Sequence, residues 1–355
     1  MLELSHSIVA PNKKVLPSAD RSPQYDLFAT FFGNPRDLSN SIELWDAIPK
    51  YSVSARAQNM LRDDNGRLPV HKHNFHYHPA PKAANPTFKC TMSLQPASIE
   101  TEHGRQDFFP SADEELVEEI IKKIFSDQHY GLHDVTNKES WVRFSLNMIR
   151  KELKARGKTR SIQEIKQSLE ILTRTVLEVE IEGQGNRKTA YTAPILNDMT
   201  RVKRSDWLED PDAMWTARLP ALLSHAINNL SYRQFNYRVL MQLSSPMARW
   251  LHKRLSHEYT NASITTPYQI LFSTVSRDSG LLHHNRTSSN IQTLDRALTE
   301  LVEHEVLHFF QSKKRNSGRA ITDVLYTLTP HSNFVSEMKA ANARARDART
   351  KLAHN

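Results

Sequence analysis

The chain has 355 residues, enough for two or three domains that each bury a core of their own. Lys and Arg total 47 against 39 Asp and Glu, and the net charge of +8 favours an anionic partner such as nucleic acid. Cys90 is the only cysteine, which excludes intrachain disulfides and multi-cysteine zinc sites and fits a reducing compartment. No signal-peptide core and no long apolar run occur, so we expect a cytoplasmic protein without membrane contact.

Residues 1–88 form an N-terminal segment that is predicted to be partly disordered. Residues 1 to about 40 mix Pro, Ser, Asn and charge without periodicity. Residues 39–51 suit a short helix. From Leu68 to Thr101 the pattern changes to alternation with prolines, and FKCTMSLQPASIE is typical of a strand that enters the first domain.

Residues 89–200 are predicted to form a first winged-helix domain. Its helices are predicted at residues 112–127, 140–156 and 161–175. The acidic first turn of the first helix suits the helix dipole, and the exposed C-terminal half of the second is basic. The third begins with Ser161 and Glu164 at capping-box spacing. A β-hairpin follows, made of VLEVEI, a polar turn and TAYTAPIL, and this order is that of a winged helix-turn-helix.

The same order recurs in residues 201–335. The predicted helices are residues 235–259, interrupted near Pro246, then 266–276 and 289–303, before a hairpin of VLHFF and ITDVLYTLTP. At a constant offset, Ile162, Ile165, Leu169 and Leu172 match Ile291, Leu294, Leu298 and Leu301. Any two amphipathic helices share this spacing, but the basic hairpin after each favours a repeat. The predicted fold class is α+β, two tandem winged helix-turn-helix domains, mainly helical with β-hairpin wings.

In a winged helix the third helix enters the major groove and the wing holds phosphates. The DNA-binding candidates of the second domain are Arg286, Thr287, Ser288, Ser289, Asn290, Gln292, Thr293 and Arg296, with Lys313, Lys314, Arg315 and Arg319 at the wing tip. Those of the first domain are Lys158, Arg160, Gln163, Lys166, Gln167 and Arg174, with Arg187 and Lys188 at the wing tip. A solvated helix face is the alternative for each residue alone. The second wing is the most specific patch, because its clustered cations repel one another unless a polyanion compensates them.

Two motifs bear on enzyme chemistry. His71, His73, His76 and His78 lie in VHKHNFHYHP, and His-Tyr-His resembles the metal motif of rolling-circle nucleases. Such an enzyme also needs a nucleophilic tyrosine beside a further ligand, and no such pairing is evident. The Gly-Lys-Thr at Gly157 lacks the glycine that a phosphate-binding loop needs, since Glu152 occupies that position. We therefore expect no catalytic residue, no metal site and no cofactor.

Residues 336–355 are predicted to be a basic C-terminal tail. The segment MKAANARARDARTKLAHN carries an excess of Lys and Arg. A phosphate-contacting arm and a solvated helix both fit this composition.

The sequence resembles plasmid replication initiators of the Rep or RepA type. The matching stretches are FFPSADEELVEEIIKKIF, WVRFSLNMIRKELKARGKTRSIQEIKQSLEILTRTVLEVEI, LSYRQFNYRVLM, MARWLHKRLSHEYTNASITTPYQILFSTVSRDSGLL and the region up to LTPHSNF. Together they span about residues 89–340. The resemblance implies a dual winged-helix protein that binds direct repeats (iterons) in double-stranded plasmid origin DNA, helps to open it, takes part in copy control and recruits host initiator, helicase and chaperones.

The resemblance also implies unequal domains. It assigns the main iteron contact to residues 289–303 and the wing from Lys313 to Arg319, and phosphate contacts or dimerisation to the first domain. Self-association between monomer and dimer is therefore expected. A winged-helix transcriptional repressor, acting on its own promoter, is the alternative in the binding class, and an origin-nicking nuclease that uses the histidine cluster is the alternative enzyme.

Overall fold

A computed structural model describes residues 22–79, 86–102, 104–183, 188–201, 212–317 and 320–353. Within them, buried apolar side chains form two large cores. The first extends in sequence from Tyr25 to Met241 and the second from Leu243 to Met338. The chain therefore passes from the first unit to the second at about residue 242, later than the boundary expected at residue 201.

The first unit contains most of the helices and strands of the chain. In order they are α1 (Pro23–Ala29), β1 (Leu38–Ile42), α2 (Glu43–Ala47), α3 (Ala55–Leu61), β2 (His71–Tyr77), β3 (Phe88–Gln95), β4 (Ala97–Thr101), β5 (Gly104–Phe108), α4 (Ala112–Phe125), β6 (Gly131–Asp134), β7 (Glu139–Phe144), α5 (Leu146–Ala155), α6 (Ile162–Arg174), β8 (Val176–Glu182), β9 (Lys188–Pro194), β10 (Asn197–Arg201), β11 (Trp215–Arg218), α7 (Ala221–Asn228), β12 (Tyr232–Asn236) and α8 (Tyr237–Gln242). Helices α4, α5 and α6 with the hairpin β8–β9 are the first winged helix.

The second unit is a winged helix followed by one long helix. Its elements are α9 (Pro246–Glu258), β13 (Tyr268–Leu271), α10 (Phe272–Ser279), α11 (Thr287–Glu303), β14 (Leu307–Ser317), β15 (Ala320–Pro330) and α12 (Ser332–Ala353). Strand β15 lies between β13 and β14 in an antiparallel sheet, and β14–β15 is the wing. The predicted fold class, two tandem winged helices, is confirmed.

The predicted second helix of each domain is wrong in its first half. Residues 139–144 form strand β7, in which Val142 and Phe144 are buried while the intervening side chains are half-buried. Helix α5 begins only after Ser145, whose hydroxyl accepts a hydrogen bond from the Met148 N–H at 3.2 Å. In the second unit, β13 similarly precedes α10. Short apolar runs fit both periods, so the sheet partners β11 and β15 decide the outcome.

The expected disorder before residue 40 is wrong for the described part of that segment, while residues 1–21 lie outside the described residues. Helix α1 buries Tyr25 and Phe28, and the Tyr25 hydroxyl donates to the Phe125 carbonyl at 2.7 Å. Strand β1 pairs with β12. The short helix expected at residues 39–51 is present only as α2, and the residues before it belong to β1. The strand expected near residues 88–100 is confirmed as β3 and β4.

The C-terminal segment is a packed helix, so the expectation of a tail is wrong for its described residues. Helix α12 lies against α1 and β12 of the first unit. The guanidinium of Arg344 is buried and donates to Asn40 Oδ1 at 2.6 Å and to the carbonyls of Leu27 and Phe28, both at 2.9 Å. Asn342 accepts from Arg233 at 2.6 Å. No helix in the described part of the chain has the length and apolar character of a membrane span.

A cluster of buried charges joins the two units. It contains equal numbers of cations and carboxylates: Lys50, Lys122, Arg249 and Lys253, with Asp46, Glu115, Glu118 and Glu119. We call this set the junction cluster. Two of its cations lie on α9 of the second unit: Arg249 contacts Glu115 at 2.7 Å, and Lys253 contacts Glu119 at 2.5 Å.

The acidic residues of α4 therefore do more than interact favourably with the helix dipole. Ser111 and Glu114 form a capping box, but Glu115 and Glu119 are buried partners of the second unit. Burial by itself raises the pKa of Asp46, yet Lys122 and Lys253 hold that pKa well below its usual range. Burial likewise lowers the pKa of Lys253, and Asp46 and Glu119 outweigh it and hold that pKa well above its usual range. Asp46 and Lys253 thus remain charged inside the protein.

Histidines line the same boundary between the units. His257 of α9 shares a hydrogen bond with the Ser41 hydroxyl at 2.6 Å, and His73 of β2 contacts the Arg277 carbonyl at 2.7 Å. Burial lowers the pKa of His257 to about 4 and that of His252 to about 3. Both imidazoles are therefore neutral at neutral pH, because burial at the boundary disfavours their charged form.

We expect Lys253→Met to destabilise the protein strongly. Removing one partner leaves buried carboxylates without compensation, which lowers the free energy of unfolding by about 3–5 kcal/mol. The control is Lys351→Met, which removes an exposed cation 3.0 Å from Asp347, and such pairs contribute only about 0.3–0.5 kcal/mol. Urea denaturation measures both, and an equal loss in the two variants would contradict the role of the cluster.

Stability is also expected to fall as the pH is lowered from about 6.5 to about 4. Because the folded protein depresses the pKa of His257 to about 4 and that of His252 to about 3, the unfolded chain takes up protons first as the pH drops through this window. The variant His252→Phe, which keeps the ring packed against Phe235, should reduce the slope of melting temperature against pH. An unchanged slope would show that His252 does not contribute.

Candidate nucleic-acid interface

Helix α11 presents an open polar face on the second winged helix. Its buried side, formed by Ile291, Leu294, Ala297, Leu298 and Leu301, packs in the second core. The opposite side exposes Ser288, Gln292 and Arg296 at successive turns, and Arg286 and Thr287 are exposed where the helix begins. The Tyr326 hydroxyl of β15 donates to Asp295 at 2.8 Å, which holds α11 against the wing sheet.

Not all predicted residues of α11 lie on this face. Asn290 is 8% exposed; its Oδ1 accepts from the His284 N–H at 2.9 Å and its Nδ2 donates to the His284 carbonyl at 2.8 Å. The prediction that Asn290 is exposed for base contact is therefore wrong, because its amide closes the loop before the helix. Ser289 and Thr293 are half-buried, and the Thr293 hydroxyl donates to the Ser289 carbonyl at 3.0 Å.

The wing β14–β15 projects beyond the core and carries cations on both of its faces. Side chains alternate between the two faces of a strand, yet every residue from Gln311 to Ser317 is exposed. Lys313, Lys314 and Arg315 are consecutive in this stretch. Arg319 lies outside the described residues. We call the exposed face of α11 and this wing together the α11 surface.

In the first winged helix the corresponding face is flanked by other elements. Hairpin β4–β5 lies against α6: Ala97 and Ile99 form a small buried cluster with Ile171, and Arg174 donates to the Ser98 carbonyl at 2.9 Å. A groove of about 520 Å³ separates the hairpin tip from the face that carries the predicted Gln163, Lys166, Gln167 and Arg174. Met199 and Trp215 line the same groove, so α6 lies in a recess rather than on a protruding surface.

The remaining predicted residues of the first domain lie close to other charges. Arg160 pairs with Asp113 and, at 3.5 Å, with Glu164, and Arg174 pairs with Glu170 at 2.5 Å. Lys158 is half-buried, and burial, followed by the nearby Arg249, lowers its pKa. Lys188 pairs with Glu180 at 3.5 Å. Arg187 lies outside the described residues.

The histidines singled out in the sequence lie on or directly after β2, at the boundary with the second unit. His73 contacts the Arg277 carbonyl, and the backbone N–H of His76 donates to Asp278 at 3.0 Å. Burial lowers the pKa of His71 to about 4. In the described part of the chain, no group of three or more His, Cys, Asp or Glu side chains is arranged to hold a metal ion.

Comparison by sequence finds no family model and no curated protein that matches the chain. Comparison by structure finds similar chains. They include the selenomethionine crystal structure of domains 2 and 3 of RctB, with TM-score 0.45, 10% identity, and coverage of 80% of this chain and 99% of that chain. A second structure of RctB domains 2–3, residues 155–483, has TM-score 0.45, 10% identity, and coverage of 81% and 100%.

A third similar structure is the Pi initiator protein in complex with iteron DNA. It has TM-score 0.35 and 10% identity, and it covers 84% of this chain and 100% of that chain.

Asn290→Ala is expected to destabilise the second unit. The substitution removes both hydrogen bonds between the Asn290 amide and the backbone of His284, and each such bond contributes about 0.5–1.5 kcal/mol. Gln292→Ala, on the exposed side of the same helix, is the control and should leave the melting temperature unchanged. If both variants melted alike, Asn290 would not be a structural residue.

Proposed function

We propose that the protein is a plasmid replication initiator, which binds direct repeats at a plasmid origin through the α11 surface. The observation that carries this proposal is the exposed row Ser288, Gln292 and Arg296 beside a wing with three consecutive exposed cations. The sequence resemblance to Rep-type initiators agrees with it.

The α11 surface has the chemistry that duplex DNA requires. An α-helix fits the major groove, where Gln pairs with adenine edges and Arg with guanine edges. Gln292 and Arg296 are one helical turn apart and exposed, so both can contact neighbouring base pairs. Ser288 lies at the start of the helix, and the first turn contains no acidic residue, which leaves the positive end of the helix dipole available to a phosphate.

The wing supplies the sequence-independent part of binding. Lys313, Lys314 and Arg315 lie on both faces of a projecting hairpin. Phosphate contacts from such residues position the protein without reading sequence, while the base contacts of α11 specify the site.

The finer functions are proposed on the sequence resemblance. They are opening of the adjacent DNA, recruitment of the host initiator, helicase and chaperones, copy control, self-association and a cytoplasmic location. In this proposal the protein acts by binding DNA and catalyses no reaction.

Footprinting on the DNA that flanks the gene of this protein tests the proposal. We expect protection of directly repeated sequences. Protection of inverted repeats at the promoter would instead support a transcriptional repressor. Metal-dependent nicking of supercoiled origin DNA that His76→Ala abolishes would overturn the proposal in favour of a nuclease.

Arg296→Ala and Lys314→Ala are expected to have different effects. Loss of a base contact at Arg296 should weaken binding to the repeat by about 1–3 kcal/mol and relax sequence preference, whereas loss of a phosphate contact at Lys314 should weaken specific and non-specific binding alike and reduce the salt slope by about 1. Fluorescence anisotropy on repeat and scrambled duplexes separates the two effects. An unchanged footprint with Arg296→Ala would remove α11 as the reading helix.

A further inference from the structure

Helix α5 of the first winged helix carries a row of exposed cations. Leu146, Ile149 and Leu153 bury one side of the helix in the first core. Arg150, Lys151 and Lys154 are exposed on the side away from that core. These positions are three and four residues apart or adjacent, so the charges are neighbours, and like charges at this spacing destabilise a helix.

These three cations differ from the cations around them. Arg156, at the end of α5, pairs with Glu152 at 3.0 Å and Asp37 at 3.7 Å. Arg160, just before α6, and Arg174, its last residue, also have carboxylate partners. In the part of the chain that the structure describes, the positive charges of Arg150, Lys151 and Lys154 are not neutralised by any ion pair.

The third helix of this domain is poorly placed to enter a major groove. Hairpin β4–β5 stands beside α6, and the groove between them is lined by three carboxylates, Glu100, Glu102 and Glu170, which outnumber its two cations, Lys166 and Arg174. A phosphate backbone that approached this recess would meet carboxylates. Helix α5 has no acidic residue on its exposed cationic row, so it is the more favourable surface for a polyanion.

We propose that α5 is the surface through which the first winged helix binds DNA, with Arg150, Lys151 and Lys154 contacting phosphates and α6 making no base contact. This inference rests on the proposed DNA-binding function. It assigns the first domain a docking mode different from that of the second, in which the third helix reads the bases.

The test compares two triple variants with the same change in charge. Arg150→Ala, Lys151→Ala and Lys154→Ala remove the row on α5; Lys339→Ala, Arg346→Ala and Arg349→Ala remove three exposed cations from α12. Binding is measured by anisotropy over a salt series on a repeat duplex and on a scrambled duplex. Each lost phosphate contact reduces the slope of log K against log salt by about 0.9. The slope for the α5 variant should therefore be smaller by roughly 2.7 on both duplexes, and the slope for the α12 variant should change clearly less.

A third variant tests the role of α6. Gln163→Ala with Gln167→Ala should leave both affinity and sequence preference unchanged, and a relaxed preference would overturn the exclusion of α6. Equal slopes for the two triple variants would overturn the α5 assignment. If the wild type does not prefer the repeat at all, the proposed function fails, while the slopes on the scrambled duplex still decide the α5 assignment. Should the α5 triple variant fold poorly, Lys154→Ala compared with Arg349→Ala of α12 keeps the charge change equal, and the slope should fall by about 0.9 for Lys154→Ala only.

Discussion

The ion pairs of Lys253 with Asp46 and Glu119 hold the two halves of this protein together. Taking a charge out of water costs several kcal/mol, and only close partners and hydrogen bonds offset that cost. The cost would reappear if α9 moved away from α4, because the cations of α9 and the carboxylates of α4 would then lose their buried partners. The two winged helices are therefore expected to move as one body, and α12 strengthens this through the buried Arg344.

Two copies of one fold have diverged in what surrounds their third helices. In the second unit one face of α11 is exposed to solvent, and both faces of the wing are exposed as well. The side-chain amide of Asn290 hydrogen-bonds the loop before the helix. In the first unit a β-hairpin stands beside α6, and nearby cations are paired with carboxylates. The difference lies in added elements rather than in the helices themselves, which share the same apolar spacing.

Much of the fold was predictable from local sequence. Capping residues such as Ser161 and apolar periodicity located α4, α6 and α11, and the order of elements identified the winged helices. Strands β7 and β13 were missed because their short apolar runs fit both a helical and a strand period. Strand β7 pairs with the nearby β6 as well as with the distant β11, whereas the partner of β13, β15, is distant in sequence. The charged residues of α4 and α9 looked like solvated faces, since periodicity does not show which charges meet across a domain boundary. For the same reason Asn290 was assigned to the wrong side, and the hairpin beside α6 was not foreseen.

The junction cluster also separates what can vary in this chain from what cannot. A change at Arg249 or Glu115 requires a matching change on the other unit, because the two groups are buried together. Gln292, Arg296 and the described wing residues from Lys313 to Arg315 are exposed and do not belong to the cluster. Under the proposed DNA-binding function, a new target sequence can therefore arise by substitutions confined to one exposed helix face. A chimaera that joins units from two divergent proteins must carry over both sides of the cluster.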